Sequence, residues 1–185
     1  MTLRVIAGSA KGRRLKSVPG DTTRPVTDRV KESLFDILSG DVEDSIWWDL
    51  FGGTGAIGIE ALSRGAQFIR FSELNRLPIE TIKANLDICR FTPKAEVKRG
   101  DAFSMLVGAP DRVFDYIYIA PPQYKEMWLK ALELVDDTPA WLSEGGWVVA
   151  QIHPREYQEV ALKNLEKFDE RKYGSTLLVF YEKTR

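Results

Sequence analysis

The chain is poor in the residues that most metal and redox chemistry requires. Its 185 residues include one cysteine, Cys89, and one histidine, His153. A lone cysteine forms no intrachain disulfide, and with a lone histidine it leaves no cysteine- or histidine-rich zinc site. A Ser-His-Asp triad would rest on His153 alone. No apolar run approaches the ~20 residues of a membrane span, and residues 1–6 lack the long apolar core of a secretion signal. No metal, no membrane and a cytoplasmic location are therefore expected. Net charge is also scarce, since 26 Lys and Arg against 27 Asp and Glu leave −1.

That near-neutrality conceals an asymmetry. Residues 1–31 carry eight cations (Arg4, Lys11, Arg13, Arg14, Lys16, Arg24, Arg29, Lys31) against Asp21 and Asp28, a surplus of six, and the remainder is acidic. A basic appendage on a neutral-to-acidic body is a charge pattern of nucleic-acid contact. Lys11-Gly12-Arg13-Arg14 reads as the tip of a β-hairpin between residues 3–8 and 14–18. Its cations are set to follow a phosphate backbone. A helix is expected over residues 24–38, capped by Thr27 or Asp28, with Val30, Leu34, Ile37 and Leu38 at helical spacing. Gly40 and the acidic run 41–44 close this extension, residues 1–44.

From residue 45 the pattern alternates. Strands are expected over 46–50, 68–73, 95–99, 114–119, 147–152 and 177–181, and helices over 56–64, 78–90, 102–106, 125–135 and 155–165. This order defines an α/β fold, a doubly wound and mostly parallel sheet with helices on both faces. An apolar share of 44% suits one compact unit over 45–185. Ligands of such sheets bind beyond the carboxyl ends of the strands.

The first expected strand runs into Asp49-Leu50-Phe51-Gly52-Gly53-Thr54-Gly55-Ala56-Ile57-Gly58. Gly53, Gly55 and Gly58 satisfy G-x-G-x-x-G, and Glu73 follows at the distance of a dinucleotide fingerprint. An NAD- or flavin-dependent oxidoreductase is thus one reading. Asp49 opposes it, because a pyrophosphate over this turn would meet an uncompensated carboxylate. S-adenosylmethionine lacks phosphate and carries an ammonium and a sulfonium, both attracted to Asp49. The second strand ends in Glu73, placed to accept ribose hydroxyls. The third runs into Asp101, which could accept from an adenine amino group or cap a helix. Asp49, Phe51, Gly52, Gly53, Gly55, Glu73, Leu74, Asp101 and Ala102 are the candidate cofactor residues.

The fourth strand ends in Ala120-Pro121-Pro122-Gln123-Tyr124, a rigid, donor-poor turn where a target amine would sit beside the sulfonium. These five are the candidate catalytic residues.

At this point the chain resembles the bacterial small-subunit ribosomal RNA guanine-N2 methyltransferases. The resemblance rests on Arg4-Val5-Ile6-Ala7-Gly8, on Arg24-Pro25-Val26-Thr27-Asp28-Arg29-Val30-Lys31-Glu32-Ser33-Leu34-Phe35, and on the run from Asp49 to Ala66. It implies a Rossmann-like class I fold, S-adenosylmethionine without metal, and methyl transfer to one guanine N2. It further implies a monomer whose N-terminal extension grips rRNA, free or in an assembling particle, through Lys11, Arg13, Arg14, Arg24, Arg29 and Lys31. The family's catalytic turn reads [DN]-P-P-[YF], and this chain carries Ala120 instead, with its aromatic one place late at Tyr124. The Asp or Asn side chain accepts a proton of the weakly nucleophilic guanine amine and the aromatic stacks on the flipped base. Gln123 is the expected substitute acceptor, and a binding protein with weak or lost catalysis is the alternative.

Overall fold

The computed structural model describes residues 2–20, 26–123 and 125–185. Its centre is a seven-stranded sheet in the order β3-β2-β1-β4-β5-β7-β6. The strands are β1 (Ile46–Asp49), β2 (Phe68–Glu73), β3 (Ala95–Arg99), β4 (Phe114–Ile119), β5 (Leu142–Ile152), β6 (Leu165–Tyr173) and β7 (Thr176–Lys183). β1 to β5 pair in parallel, and the β6–β7 hairpin adds antiparallel strands beside β5. The chain starts in the middle of the sheet at β1, builds outward to β3, then crosses back to β4. The carboxyl ends of β1 and β4 therefore flank the switch point where such folds bind ligands.

Among the described residues, five α-helices cover the sheet: α1 (Asp28–Leu38), α2 (Ala56–Ser63), α3 (Arg76–Cys89), α4 (Ala102–Val107) and α5 (Met127–Asp137). Adjacent strand residues point to opposite faces, so Trp47 and Trp48 enter different cores. Trp47 joins α1, α2 and α3, whereas Trp48 joins α4 and α5. α2 is buried on every side, because the N-terminal segment lies over its outer surface.

That segment is an irregular antiparallel ribbon. Its bonds run from Val5 N–H to the Arg13 carbonyl, from Gly12 N–H to Val5 and from Leu15 N–H to Leu3, with a single β-bridge between Arg4 and Arg14. Leu3, Val5, Ala10 and Leu15 enter the same core as Trp47. Gly8 lies so close to α2 that a Cβ there would stand 1.8 Å from the Ser63 carbonyl oxygen. Ser63 answers with its own backbone and hydroxyl, accepting from Ser9 at 2.8 Å and from Ala10 at 2.9 Å.

Thr27 caps α1, its hydroxyl accepting from Val30 N–H at 3.3 Å. From α1 to α5 the expected helices and strands are present to within a few residues; after α5, β5 begins five residues early at Leu142, β6 lies where no strand was expected, and the last expected helix is absent. Residues 155–165 form no helix; after a short 3-10 turn at Pro154–Glu156 the chain is irregular until β6 begins at Leu165. The cause is Asp136, a buried carboxylate at the end of α5. It accepts from the N–H groups of Lys163, Asn164 and Leu165 at 2.7–2.9 Å, which pins the chain extended and turns it into an edge strand.

Candidate functional site

Asp49 ends β1 with 2% of its surface exposed. Burial pushes its carboxyl up to about 7; the Phe51 N–H bond counters this in part, and the charge of Glu73 adds to it. Its Oδ1 has no hydrogen-bond partner among the described residues. A buried, unsatisfied carboxylate oxygen is costly unless something cationic meets it.

The turn after Asp49 is shaped by glycine. Gly53 and Gly55 have φ of +57° and +79°, conformations that favour residues without a Cβ. Gly52 donates to the Ser72 carbonyl and Gly55 donates back to Gly52, at 2.9 and 2.8 Å. Gly58, read in the sequence as part of the nucleotide fingerprint, serves packing. A Cβ there would meet Ile69 at 2.1 Å and Phe71 at 2.6 Å.

Glu73 stands at the end of β2 and holds this turn. Its Oε2 accepts from Gly53 N–H at 3.1 Å, and its Oε1 from Leu74 and Asn75 N–H at 2.9 and 3.2 Å. Three backbone donors fix the carboxylate while leaving acceptor capacity on Oε2. Leu74, beside it, exposes 58% of its surface, an apolar wall facing solvent. Asp101 caps α4, accepting from Phe103 N–H and the Ser104 hydroxyl at 3.1 Å each. Gly100 donates to the Glu73 carbonyl at 3.0 Å, Ala102 is buried, and the Phe51 and Phe103 rings meet edge to face at 5.9 Å. The fold thus brings the nine candidate cofactor residues to the neighbouring ends of β1, β2 and β3.

The turn after β4 lies beside them. Leu50 N–H donates to the Tyr118 carbonyl at 3.0 Å, Ala120 and Pro121 are half-buried, and Pro122 and Gln123 are exposed. Tyr124 and Arg24 lie outside the described residues.

Of the expected RNA-contacting cations, Lys11, Arg13, Arg14 and Arg29 are exposed. Arg13 also donates to the Ile88 carbonyl at 3.1 Å, and Arg29 lies 5.5 Å over the Tyr173 ring at the β6–β7 turn. Lys31 is a correction. It has no exposed surface; its ammonium lies 3.6 Å from Glu60, equally buried, and donates to the Arg4 carbonyl. Glu60 also accepts from Arg64 at 3.0 Å and from the N–H groups of Ile6 and Ala7. Lys31 fastens the ribbon to α1 and α2 and has no surface to offer RNA. Its spacing from Leu34, Phe35 and Leu38 places it on the buried stripe of α1, the signal that could have revealed this.

A further residue was missed in the sequence. Asn85 on α3 is fully buried. It donates to the Thr54 carbonyl of the glycine turn at 2.9 Å and to the Lys16 carbonyl at 3.0 Å, and accepts from Lys16 N–H at 2.7 Å. One side chain thereby joins the ribbon to the glycine turn. A polar residue between Ile82, Leu86 and Cys89 on a buried helix face was the only hint.

The sheet order, the glycine turn after β1 and the carboxylates at the strand ends are those of a Rossmann-like class I methyltransferase fold. The model of the family described as conserved hypothetical protein 95 matches residues 3–182. The chain belongs to that family, whose members include bacterial small-subunit rRNA methyltransferases. It is 41% identical over 184 residues to the Bacillus subtilis (strain 168) protein named "Putative rRNA methyltransferase YlbH", covering 98% of this chain and 99% of that one. It is 32% identical over 144 residues to the ribosomal RNA small subunit methyltransferase D of Escherichia coli (strain K12), covering 77% of this chain and 70% of the relative. Among solved structures, the Escherichia coli "Putative methyltransferase yhhF" superposes with a TM-score of 0.85 at 28% identity, covering 99% and 98% of the two chains. A Salinibacter ruber RNA methyltransferase in complex with S-adenosyl-L-homocysteine shares the fold at a TM-score of 0.63 and 15% identity, over 86% and 93%.

The residues present fit S-adenosylmethionine. The unsatisfied Asp49 oxygen suits a cationic ligand and opposes a pyrophosphate. No group of three or more candidate metal ligands occurs among the described residues, and no described helix is long and apolar enough to cross a membrane.

Proposed function

We propose that this protein transfers a methyl group from S-adenosylmethionine to the exocyclic N2 of a guanine in small-subunit rRNA. The observation that carries the reading is the buried, unpartnered Asp49 oxygen at the switch point of the sheet. The names of the relatives, which specify rRNA and the small subunit, support the substrate class.

In this reading Asp49 faces the ligand's cationic end and the turn at Phe51, Gly52, Gly53 and Gly55 wraps it. Glu73 accepts ribose hydroxyls through Oε2. Asp101 and Ala102 border the adenine, with Leu74 as its apolar wall. When bound, the cofactor supplies an electrophilic methyl group. The chain's own contribution is to present the amine in line with it. The Pro121 carbonyl accepts a hydrogen bond from one amine N–H, which localises the nitrogen lone pair, and Tyr124 stacks on the base; the methylated nitrogen then releases its surplus proton to solvent. The proline turn excludes competing backbone donors. Residues 1–44 form the RNA-contacting part, with Lys11, Arg13, Arg14, Arg24 and Arg29 along the phosphates, and residues 45–185 the catalytic body. The protein acts as a cytoplasmic monomer.

The test is transfer of tritium-labelled methyl to free 16S rRNA and to assembled small subunits, with the modified nucleoside identified by mass. N2-methylguanosine is expected. Label in any other nucleoside, or none with either substrate, overturns the reading.

A further inference from the structure

Ala120 provides no side-chain acceptor, but the strand next to it does. β4 and β5 run parallel, with Tyr118 opposite Val149 and Ile119 opposite Ala150. Continuing that register puts Gln151 beside Ala120, and side chains at matched positions of parallel strands share a face. Asp49 on β1 is in turn opposite Tyr118. Asp49, Tyr118 and Val149 are matched in register, and Gln151, two residues beyond Val149, shares their face of the sheet one step nearer the catalytic turn.

The Tyr118 hydroxyl donates to Gln151 Oε1. Tyr118 is buried, and its burial together with the charge of Asp49 holds the hydroxyl protonated far above its ordinary range. It is thus a constant donor, and the bond fixes which way the Gln151 amide faces. Oε1 keeps a second lone pair and Nε2 keeps its two hydrogens. Gln151 is only half-buried, at the open end of its strand, whereas Gln123 is exposed on the turn.

We infer that Gln151 is a catalytic, substrate-contacting residue of this chain, its Oε1 accepting an N–H of the target amine from the strand beside Ala120. The inference rests on the guanine-amine reading above. It replaces the acceptor that an Asp or Asn at position 120 would supply, and it makes Tyr118 the positioning residue for the amide.

The experiment compares wild type, Gln151→Met, Gln151→Glu and the double variant Ala120→Asp/Gln151→Met in methyl transfer to small-subunit rRNA. Calorimetry with S-adenosylhomocysteine and thermal melting accompany each. Gln151→Met is expected to lower kcat about tenfold, the worth of one hydrogen bond, with the dissociation constant for S-adenosylhomocysteine unchanged. Gln151→Glu keeps the bond from Tyr118 and an acceptor, and is expected to retain more turnover than Gln151→Met. Ala120→Asp on the Gln151→Met background is expected to restore it, which a merely structural role for Gln151 would not allow. An active wild type with an equally active Gln151→Met overturns the inference alone, and so does a loss that Ala120→Asp does not rescue. An inactive wild type beside an active Ala120→Asp/Gln151→Met variant overturns the inference alone, whereas a wild type and a double variant that both transfer nothing overturn the functional reading and the inference with it.

Discussion

Replacing Asp49 by asparagine is expected to stabilise the protein while weakening its hold on the cofactor. The carboxyl sits at about 7 in the folded chain against an ordinary value of 3.8. Between those two pH values the folded protein holds a proton that the unfolded chain has released, so stability falls as pH rises through the window. Roughly three pKa units at about 1.36 kcal/mol each set a ceiling of about 4 kcal/mol on that loss. Asp49→Asn escapes it. The variant should be the more stable form above about pH 7, by up to that amount, and the advantage should vanish as pH falls towards 4. Urea denaturation across this range measures it. Binding should change in the opposite direction. An ammonium needs the ionised carboxylate, so wild-type affinity for S-adenosylhomocysteine should weaken about twentyfold from about pH 7.5 to about pH 5.5, below the range where an α-amino group titrates. About one proton should be released per ligand bound at the acid end, read by calorimetry in buffers of different ionisation enthalpy. Asp49→Asn should bind weakly and without this pH dependence. An affinity flat between those two pH values, or a variant less stable than wild type at about pH 8, refutes the reasoning.

Lys31→Met should cost about 3–5 kcal/mol in urea denaturation, because among the described residues it leaves the buried Glu60 carboxylate with Arg64 as its remaining charged partner. It should leave the salt dependence of RNA binding unchanged. By contrast, replacing Lys11, Arg13 and Arg14 together with alanine should flatten the slope of log affinity against log salt by roughly 0.7–0.9 for each phosphate no longer neutralised. Asn85→Ala frees the Thr54 carbonyl from its clamp; calorimetry should show S-adenosylhomocysteine binding about tenfold weaker, the worth of one hydrogen bond to a buried group. Gly58→Ala forces a methyl group against Ile69 and Phe71 and should lower stability by about 1–3 kcal/mol in thermal or urea melts.

Local sequence carried much of this fold because its signals are local. Strand-helix alternation, Thr27 before an amphipathic run, and closely spaced glycines after an apolar strand each report on a few neighbouring residues, and β2, β3 and β4 fall where the pattern puts them. The failure at 155–165 is equally physical. Tyr157, Val160, Leu162 and Leu165 resemble a helical pattern after a proline, yet Asp136 captures three successive N–H groups from outside the segment. Nothing within those residues announces a partner almost thirty positions away.

The same division governs the site. The sequence by itself determined that three carboxylates, Asp49, Glu73 and Asp101, end three successive strands beside a glycine turn, because strand order and chain direction follow from the β/α alternation. It determined that the chain's first 31 residues are basic, since charge is additive. Only the tertiary structure decided which cations remain outside and which polar side chains meet. Lys31 is drawn inward because the ribbon covers α2 and brings Glu60 to it. Asn85 finds Thr54 and Lys16 across α3, and Tyr118 finds Gln151 across two strands. These pairings join residues tens of positions apart, and burial removes the competing water that would otherwise satisfy them.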